Sequence, residues 1–138
     1  MKYLWIAAIL SLGVSMAYAE SGKPVIVTPV LTTDMTASGQ PIVLPSKDVQ
    51  LIVSTYEIAP GAALPAHRHP FPRFGYMLAG SLRVTNLETA KSDDYKAGDF
   101  IPEAIGQWHQ GSNIGDGPAK LLVIDQVEKG QLNIEVRH

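Results

Sequence analysis

Cysteine is absent from this 138-residue chain. Its absence excludes disulfide bridges, thiol nucleophiles, iron–sulfur clusters and thiolate metal sites, so any metal would have to be held by histidine and oxygen. A basic surplus is absent as well: eleven Lys and Arg face thirteen Asp and Glu, a formal charge of −2. With no excess of cations to neutralise phosphates, nucleic acid is not an expected partner. Beyond residue 19 no apolar run reaches the ~20 residues that a membrane-crossing helix needs. Nor does any 11-residue window of 20–138 keep a helical period without an interrupting Pro or Gly. Three catalytic patterns are also missing: a Gly-rich phosphate cradle, an acidic pair placed for glycoside hydrolysis, and a serine at a nucleophile turn.

The start, MKYLWIAAILSLGVSMAYA, carries one charge at Lys2, an apolar run to about Val14, and small residues at Ala17 and Ala19. This predicts an export signal over 1–19, cleaved before Glu20, because the apolar stretch is only about a dozen residues and too short for a spanning anchor. A single domain then occupies 20–138, about 119 residues with a formal charge near −3 once Lys2 is removed. A chain of that length buries roughly two-thirds of its extended surface and needs neither a disulfide nor a structural metal to fold. The expected location is the periplasm or outside the cell, with no membrane association after the signal is removed. Lack of cysteine favours the periplasm over a disulfide-stapled extracellular scaffold.

Residues 20–46 alternate short apolar pieces, Val25–Leu31 and Ile42–Leu44, with a turn-rich loop, and read as an N-terminal arm or edge strands. VQLIVSTYEI (49–58) has the β-branched and aromatic enrichment of a strand and stops at Pro60-Gly61. FGYMLAG and SLRVTNLE read as strands meeting at Gly80, and KLLVIDQV (120–127) and QLNIEVR (131–137) as the last two. Many short strands with frequent turn signals predict an all-β sandwich or barrel.

Four histidines are present, and three of them lie well inside the chain. In LPAHRHPFPR, His67 and His69 are two apart, so on an extended segment both imidazoles leave the same face. His109 follows forty residues later in GQWHQGSN, where a returning strand can bring it opposite the pair. Three neutral imidazoles suit Fe, Ni, Cu or Zn and leave positions open for water or substrate. A His-x-His pair on a solvated strand face is the plainer alternative.

The spacing around these residues resembles two motifs of the cupin superfamily. The first family motif is Gly, five residues, His-x-His, three or four residues, Glu, six residues, Gly; here it reads Gly61, His67-Arg-His69, Arg73, Gly80. The second is Gly, five residues, Pro-x-Gly, two residues, His, three residues, Asn; here it reads Gly98, Ala104-Ile-Gly106, His109, Asn113. The resemblance implies a jelly-roll, double-stranded β-helix barrel whose interior holds a divalent ion on His67, His69 and His109. Iron is favoured for that ion, with Ni, Cu, Mn or Zn as alternatives. Gly61, Gly80, Gly98, Gly106 and Asn113 take structural roles at turns and loops.

Arg73 stands where the family supplies a carboxylate ligand, and a guanidinium has no lone pair for a cation. The expectation is therefore a three-histidine site, with Arg73 replacing the Glu. Arg73 either points inward to bind a substrate carboxylate or faces outward and pairs with Glu103 or Asp99. Glu57 or Glu103 offers a substitute oxygen ligand, and nothing in the spacing selects between them.

Around the histidines, Phe71, Phe74 and Trp108 are candidate pocket residues, and Tyr76 with Arg73 a candidate catalytic pair. The same aromatics could equally be ordinary core. The reading that results is an exported metal-binding protein with a three-histidine site that acts on or binds a small organic molecule, the resemblance implying an oxygen-dependent dioxygenase. The alternative is a non-enzymatic periplasmic module binding a small ligand or metal. A homodimer, built on sheet edges and the 20–46 arm, fits either.

Overall fold

A computed structural model describes residues 24–138 together with the backbone of Ala17–Tyr18. The rest of the expected export signal lies outside the described residues. Among the described residues eleven strands follow in chain order: β1 (Ala17–Tyr18), β2 (Pro24–Val25), β3 (Val49–Ile58), β4 (His67–Arg68), β5 (Arg73–Ala79), β6 (Ser81–Asn86), β7 (Ser92–Lys96), β8 (Phe100–Pro102), β9 (His109–Asn113), β10 (Ala119–Glu128) and β11 (Glu135–Val136). Apart from the two-residue β1–β2 pair, they form two sheets, β3-β10-β5-β8 and β11-β4-β9-β6-β7, with every pairing antiparallel. No helix among the described residues is long and apolar enough to cross a membrane.

β3 coincides with the segment read from the sequence and ends where Ala59-Pro60-Gly61 turns the chain, Gly61 taking φ +73°. Its neighbour β10 is one of the two inner strands of its sheet. Along β10 every second residue, Ala119, Leu121, Val123, Asp125 and Val127, is buried, the period-2 signature of a strand with one covered face. Ala119, Leu121 and Val123 meet Ile58, Met77, Leu82 and Ile101 in the core between the sheets. Removing a side chain such as Met77 from water stabilises the fold by about 1.5–3 kcal/mol.

The chain passes from one sheet to the other at Gly80, where φ is +76°. A Cβ there would lie 2.5 Å from the Pro118 carbonyl oxygen and 2.8 Å from Ala119 Cα, so only glycine fits. Gly98 and Gly106 also adopt positive φ, at +93° and +70°.

The expected closed jelly-roll barrel is not what forms. The two sheets keep separate edges, β3 and β8 on one and β11 and β7 on the other, and among the described residues no ladder joins them. Closure requires edge strands long enough to exchange backbone hydrogen bonds with the opposite sheet. Of the edges, β11 has two residues and β8 three, and Pro102 ends β8 without an N–H group to donate. The architecture is an open all-β sandwich.

Two segments expected as strands are mostly irregular. Among the described residues of the N-terminal arm, Pro24–Val25 pairs with β1 and Met35 bridges Pro41, and residues 34–42 make a tight turn held by Thr36 N–H to Gln40 O at 2.8 Å and pinned to β8 by Ala37 N–H to Pro102 O at 2.7 Å. In 131–137 only Glu135–Val136 pairs, because residues 131–134 curve over the histidine end of the sandwich.

Candidate metal centre

β4 and β9 place His67 directly opposite His109 in an antiparallel register pair. His69 follows just beyond β4, and the three ring centroids lie 4.5 to 4.9 Å apart. All three rings are buried, with His69 fully removed from solvent.

Each ring is fixed through its Nδ1 by a backbone carbonyl: Pro65 O for His67 at 2.7 Å, Asn133 O for His69 at 2.7 Å and Gln107 O for His109 at 2.8 Å. A carbonyl only accepts, so each Nδ1 carries a proton and, in the neutral ring, Nε2 keeps its lone pair. The Nε2 atoms of His69 and His109 are buried without a hydrogen-bond partner.

The fourth member is Glu103, next after β8. Its Oε2 lies 3.1 Å from His69 Nε2 and 3.3 Å from His109 Nε2. One ligand atom from each of His67, His69, Glu103 and His109 falls within 4.8 Å of the others. Orphaned buried nitrogens converging on a carboxylate are a donor set that fits a divalent cation. The protonation pattern agrees with this. Burial pushes the His67 ring down to about 4, so it is neutral at pH 7. Burial works against charge on Glu103 too, yet His109 and His69 beside it hold its carboxyl well below the usual range. Burial also opposes charge on His109, and the Glu103 carboxylate outweighs it and raises that ring.

The carboxylate therefore does not come from position 73, and the site is not an Arg-substituted three-histidine site. Glu103 N–H donates to the Arg73 carbonyl at 3.0 Å, and Phe74 pairs with Pro102, which makes Arg73 and Glu103 cross-strand neighbours. The oxygen ligand has moved one strand across the sheet. Glu57, the other candidate, lies on the exposed face of β3 and pairs with Lys120 at 3.2 Å.

Arg73 points inward, but its partner is neither Glu103 nor Asp99. Nε and Nη2 form a fork on Asp125 at 2.7 and 3.0 Å, and both side chains are buried. Asn133 Nδ2 donates to the same carboxylate at 2.6 Å, while the Asn133 carbonyl holds His69. A chain of contacts thus runs from Arg73 through Asp125 and Asn133 to a histidine of the centre.

The expected aromatic lining is displaced. On β5 Arg73, Gly75 and Met77 face inward, so Phe74 and Tyr76 project from the opposite face, where Phe74 stacks on Phe100 at 5.9 Å. Tyr76 therefore does not join Arg73 at the centre. With the His109 ring turned inward, Trp108 lies outside the centre, its ring under the guanidiniums of Arg68 and Arg137 at 4.8 and 5.8 Å. Phe71 lines a separate groove with Pro41 and Val43. Asn113 donates through Nδ2 to the carbonyls of Ile58 and Gly117, both at 2.8 Å, tying the end of β9 to the neighbouring loops. The side chains that do border the centre are aliphatic, including Leu64, Leu82, Val84 and Ile101, together with Tyr56 and Tyr95. Their parity within each strand would have marked some of them, but the pairing between strands was needed to bring them together.

The cupin-domain family pattern matches residues 54–125, more than half of the chain. The chain belongs to the cupin-domain family. Solved structures of similar fold include the cupin domain of Cnp3 from Schizosaccharomyces pombe, 19% identical over 56% of each chain with a TM-score of 0.52. An uncharacterized protein with a double-stranded β-helix domain from Klebsiella pneumoniae is 18% identical, covering 81% of this cupin and 96% of that chain, with a TM-score of 0.55. The DMSP lyase DddQ from Ruegeria pomeroyi is 21% identical, covering 62% of this chain and 42% of that one, with a TM-score of 0.54. This cupin spans about half the length of the first and third of these, and at such identities the likeness is one of fold. No curated protein matches the sequence.

Proposed function

We propose that this cupin is a metal-dependent enzyme acting on a small organic molecule, with iron as its ion and oxygen-dependent oxidation as its reaction. The observation that carries the reading is the convergence of three buried, carbonyl-anchored imidazoles and the Glu103 carboxylate, with one ligand atom from each within 4.8 Å of the others. Neutral rings held by Nδ1–H would leave the Nε2 lone pairs of His69 and His109 facing a carboxylate that cannot donate to them, and a shared cation removes that conflict.

His67, His69, His109 and Glu103 would hold the ion, which when bound supplies a Lewis-acidic and redox-active centre for a substrate oxygen or sulfur. The chain's own residues supply the rest. The three carbonyl-anchored Nδ1 atoms fix the rings, so little reorganisation accompanies binding. Aliphatic walls at Leu64, Leu82, Val84 and Ile101 exclude water around the reacting group. A cavity of about 350 Å³, bordered by Ala37, Asn86, Tyr95, Glu103 and His109, gives one route from the surface to the centre.

Export belongs to the same reading, supported by Lys2, the apolar run after it, and Ala17 and Ala19 before Glu20. Cleavage there would remove β1 and leave β2 unpaired. The mass of protein recovered from a periplasmic extract would then correspond to a chain beginning at Glu20.

Elemental analysis of purified protein, beside a His67→Ala/His109→Ala variant, tests the centre. About one equivalent of iron in the wild type and none in the variant is expected. Wild-type protein that stays metal-free after anaerobic incubation with Fe²⁺, Mn²⁺, Co²⁺, Ni²⁺, Cu²⁺ and Zn²⁺ overturns the reading. Oxygen uptake by the iron form, surveyed with thiols, β-diketones and catechol-like acids, tests the reaction. Iron loading without uptake on any of them transfers the reading to a binding module.

A further inference from the structure

A second cleft reaches the centre at His67, and Glu103 is not part of its lining. A cleft of about 250 Å³ opens between Thr55, Glu57 and Ile134 at the surface and runs inward past Leu64 to His67, Tyr56 and Arg73. Tyr56, Ile58, Leu64, His67 and Arg73 also line a small inner cavity of about 20 Å³ that borders Glu103 and His109. The opposite opening also has a cation, Lys91, but that side chain is exposed and paired with Asp93 at 3.1 Å. Arg73 is the buried cation that a ligand in the cleft can meet.

Two observations give the chemistry of that ligand. The first is geometric. The fork on Asp125 uses Nε and Nη2, so Nη1 stays outside it, and the Arg73 side chain borders both the cleft and the inner cavity. A guanidinium cannot give up its charge, and the donors left outside the fork suit an oxyanion.

The second observation is the charge count. Arg73 and Asp125 cancel one another. Glu103 contributes one negative charge, and an imidazole that gives its Nε2 lone pair to a cation is neutral. With neutral imidazoles around a divalent cation, the buried centre is left with one net positive charge. An uncompensated charge in an apolar enclosure is costly, so a ligand bringing a single negative charge is favoured over a neutral or dianionic one.

From these we infer that the cleft binds a small monocarboxylate with an apolar body, its carboxylate received by Arg73 Nη1 and its body packed against Leu64 and Ile58. The inference rests on the metal-centre reading. At ≈30 Å³ for each water-sized group, a 250 Å³ cleft holds about eight heavy atoms, the size of a six-carbon acid.

The test uses full-length mature protein loaded with Co²⁺, so that ion binding is read from its visible spectrum independently of any turnover. Hexanoate and its uncharged isostere hexanamide are titrated by calorimetry into wild type, Arg73→Lys and Ile134→Trp. Arg73→Lys keeps a cation for Asp125 but loses the planar fork, and Ile134→Trp fills the cleft at its mouth. In the wild type hexanoate is expected to bind at least tenfold more tightly than hexanamide. Arg73→Lys should reduce that preference at least tenfold while retaining the Co²⁺ spectrum, and Ile134→Trp should weaken hexanoate at least tenfold.

Should Arg73→Lys fail to fold, the Ile134→Trp comparison decides. Equal affinity for acid and amide overturns the inference, as does a preference unchanged by Arg73→Lys, which would put the carboxylate on the ion. Both outcomes leave the metal centre intact. Absence of a Co²⁺ spectrum in the wild type overturns the metal centre, and this inference with it.

Discussion

Glu103 and Arg73 are cross-strand neighbours, joined by the Glu103 N–H and the Arg73 carbonyl at 3.0 Å. Glu103 reaches the histidines and Arg73 turns to Asp125. The carboxylate position of the first cupin motif has been exchanged for its neighbour across the β5–β8 ladder. Arg73→Glu therefore does not restore a ligand. It would bury a second carboxylate beside Asp125 and close to Glu103, and breaking the buried pair costs about 3–5 kcal/mol. Thermal unfolding of the variant should shift down by several degrees or more, with no gain in retained metal. Tighter metal binding by a normally stable variant would contradict this assignment.

Removing the ligand itself should have the opposite profile. Glu103→Gln keeps the volume and one acceptor oxygen but lacks the charge that balances the cation. Its Zn²⁺ affinity, measured by competition with a chelator, should fall by at least about 100-fold, beyond the 10–100-fold typical of changes to groups that only orient a ligand. Glu57→Gln, on the exposed face of β3, should leave the affinity unchanged.

Metal binding should be coupled to pH through His109. Glu103 raises the His109 ring above its ordinary value, so the metal-free protein is stabilised by the protonated ring at low pH and loses that contribution as pH rises through the raised value. A cation needs the neutral ring, so its binding displaces the proton. His67, held at about 4, has no proton to lose in this range. Zn²⁺ titrations in buffers of different ionisation enthalpy should show proton release that grows as pH falls from 7.5 to 6, with affinity falling alongside it. Proton release that stays at zero across this window would show that Glu103 does not control His109.

Much of this arrangement was legible in the sequence, and the limit of legibility is physical. His67 and His69 were readable as a pair because residues two apart on an extended segment share a face, and β3 and β10 because ten-residue runs of alternating or β-branched residues have few other solutions. Glu103 was visible only as one of two nearby acids. Choosing it required the β5–β8 register, which depends on tertiary packing. The same gap misplaced Phe74, Tyr76 and Trp108: proximity in sequence to an inward residue puts the next residue on the other face. Closure of the sheets was not legible either, since it depends on how many backbone groups the short edges β8 and β11 can offer.

Asn133 is the residue on which these relationships meet, and it lies outside both sequence motifs. Its carbonyl fixes His69 Nδ1 at 2.7 Å, its Nδ2 donates to Asp125 at 2.6 Å, and its Oδ1 accepts from Phe71 N–H at 2.7 Å. Replacing it by Ala keeps the carbonyl but releases the backbone that aims it, and it leaves the Phe71 N–H and one Asp125 lone pair without partners. Two unsatisfied groups of this kind cost about 2–6 kcal/mol together. The His69 ring loses its fixed orientation, so Co²⁺ or Zn²⁺ affinity should fall 10–100-fold, less than for loss of Glu103. Asn133→Asp separates the two effects. It keeps the acceptor for Phe71 but sets a carboxylate against Asp125, so stability should drop below that of the Ala variant at pH 7 and recover as pH is lowered and the acid pair takes up a proton. Chemical denaturation of both variants at pH 7 and pH 5, with metal affinity measured on each, checks the prediction. Wild-type affinity in Asn133→Ala would mean that the carbonyl holds His69 without help from its side chain.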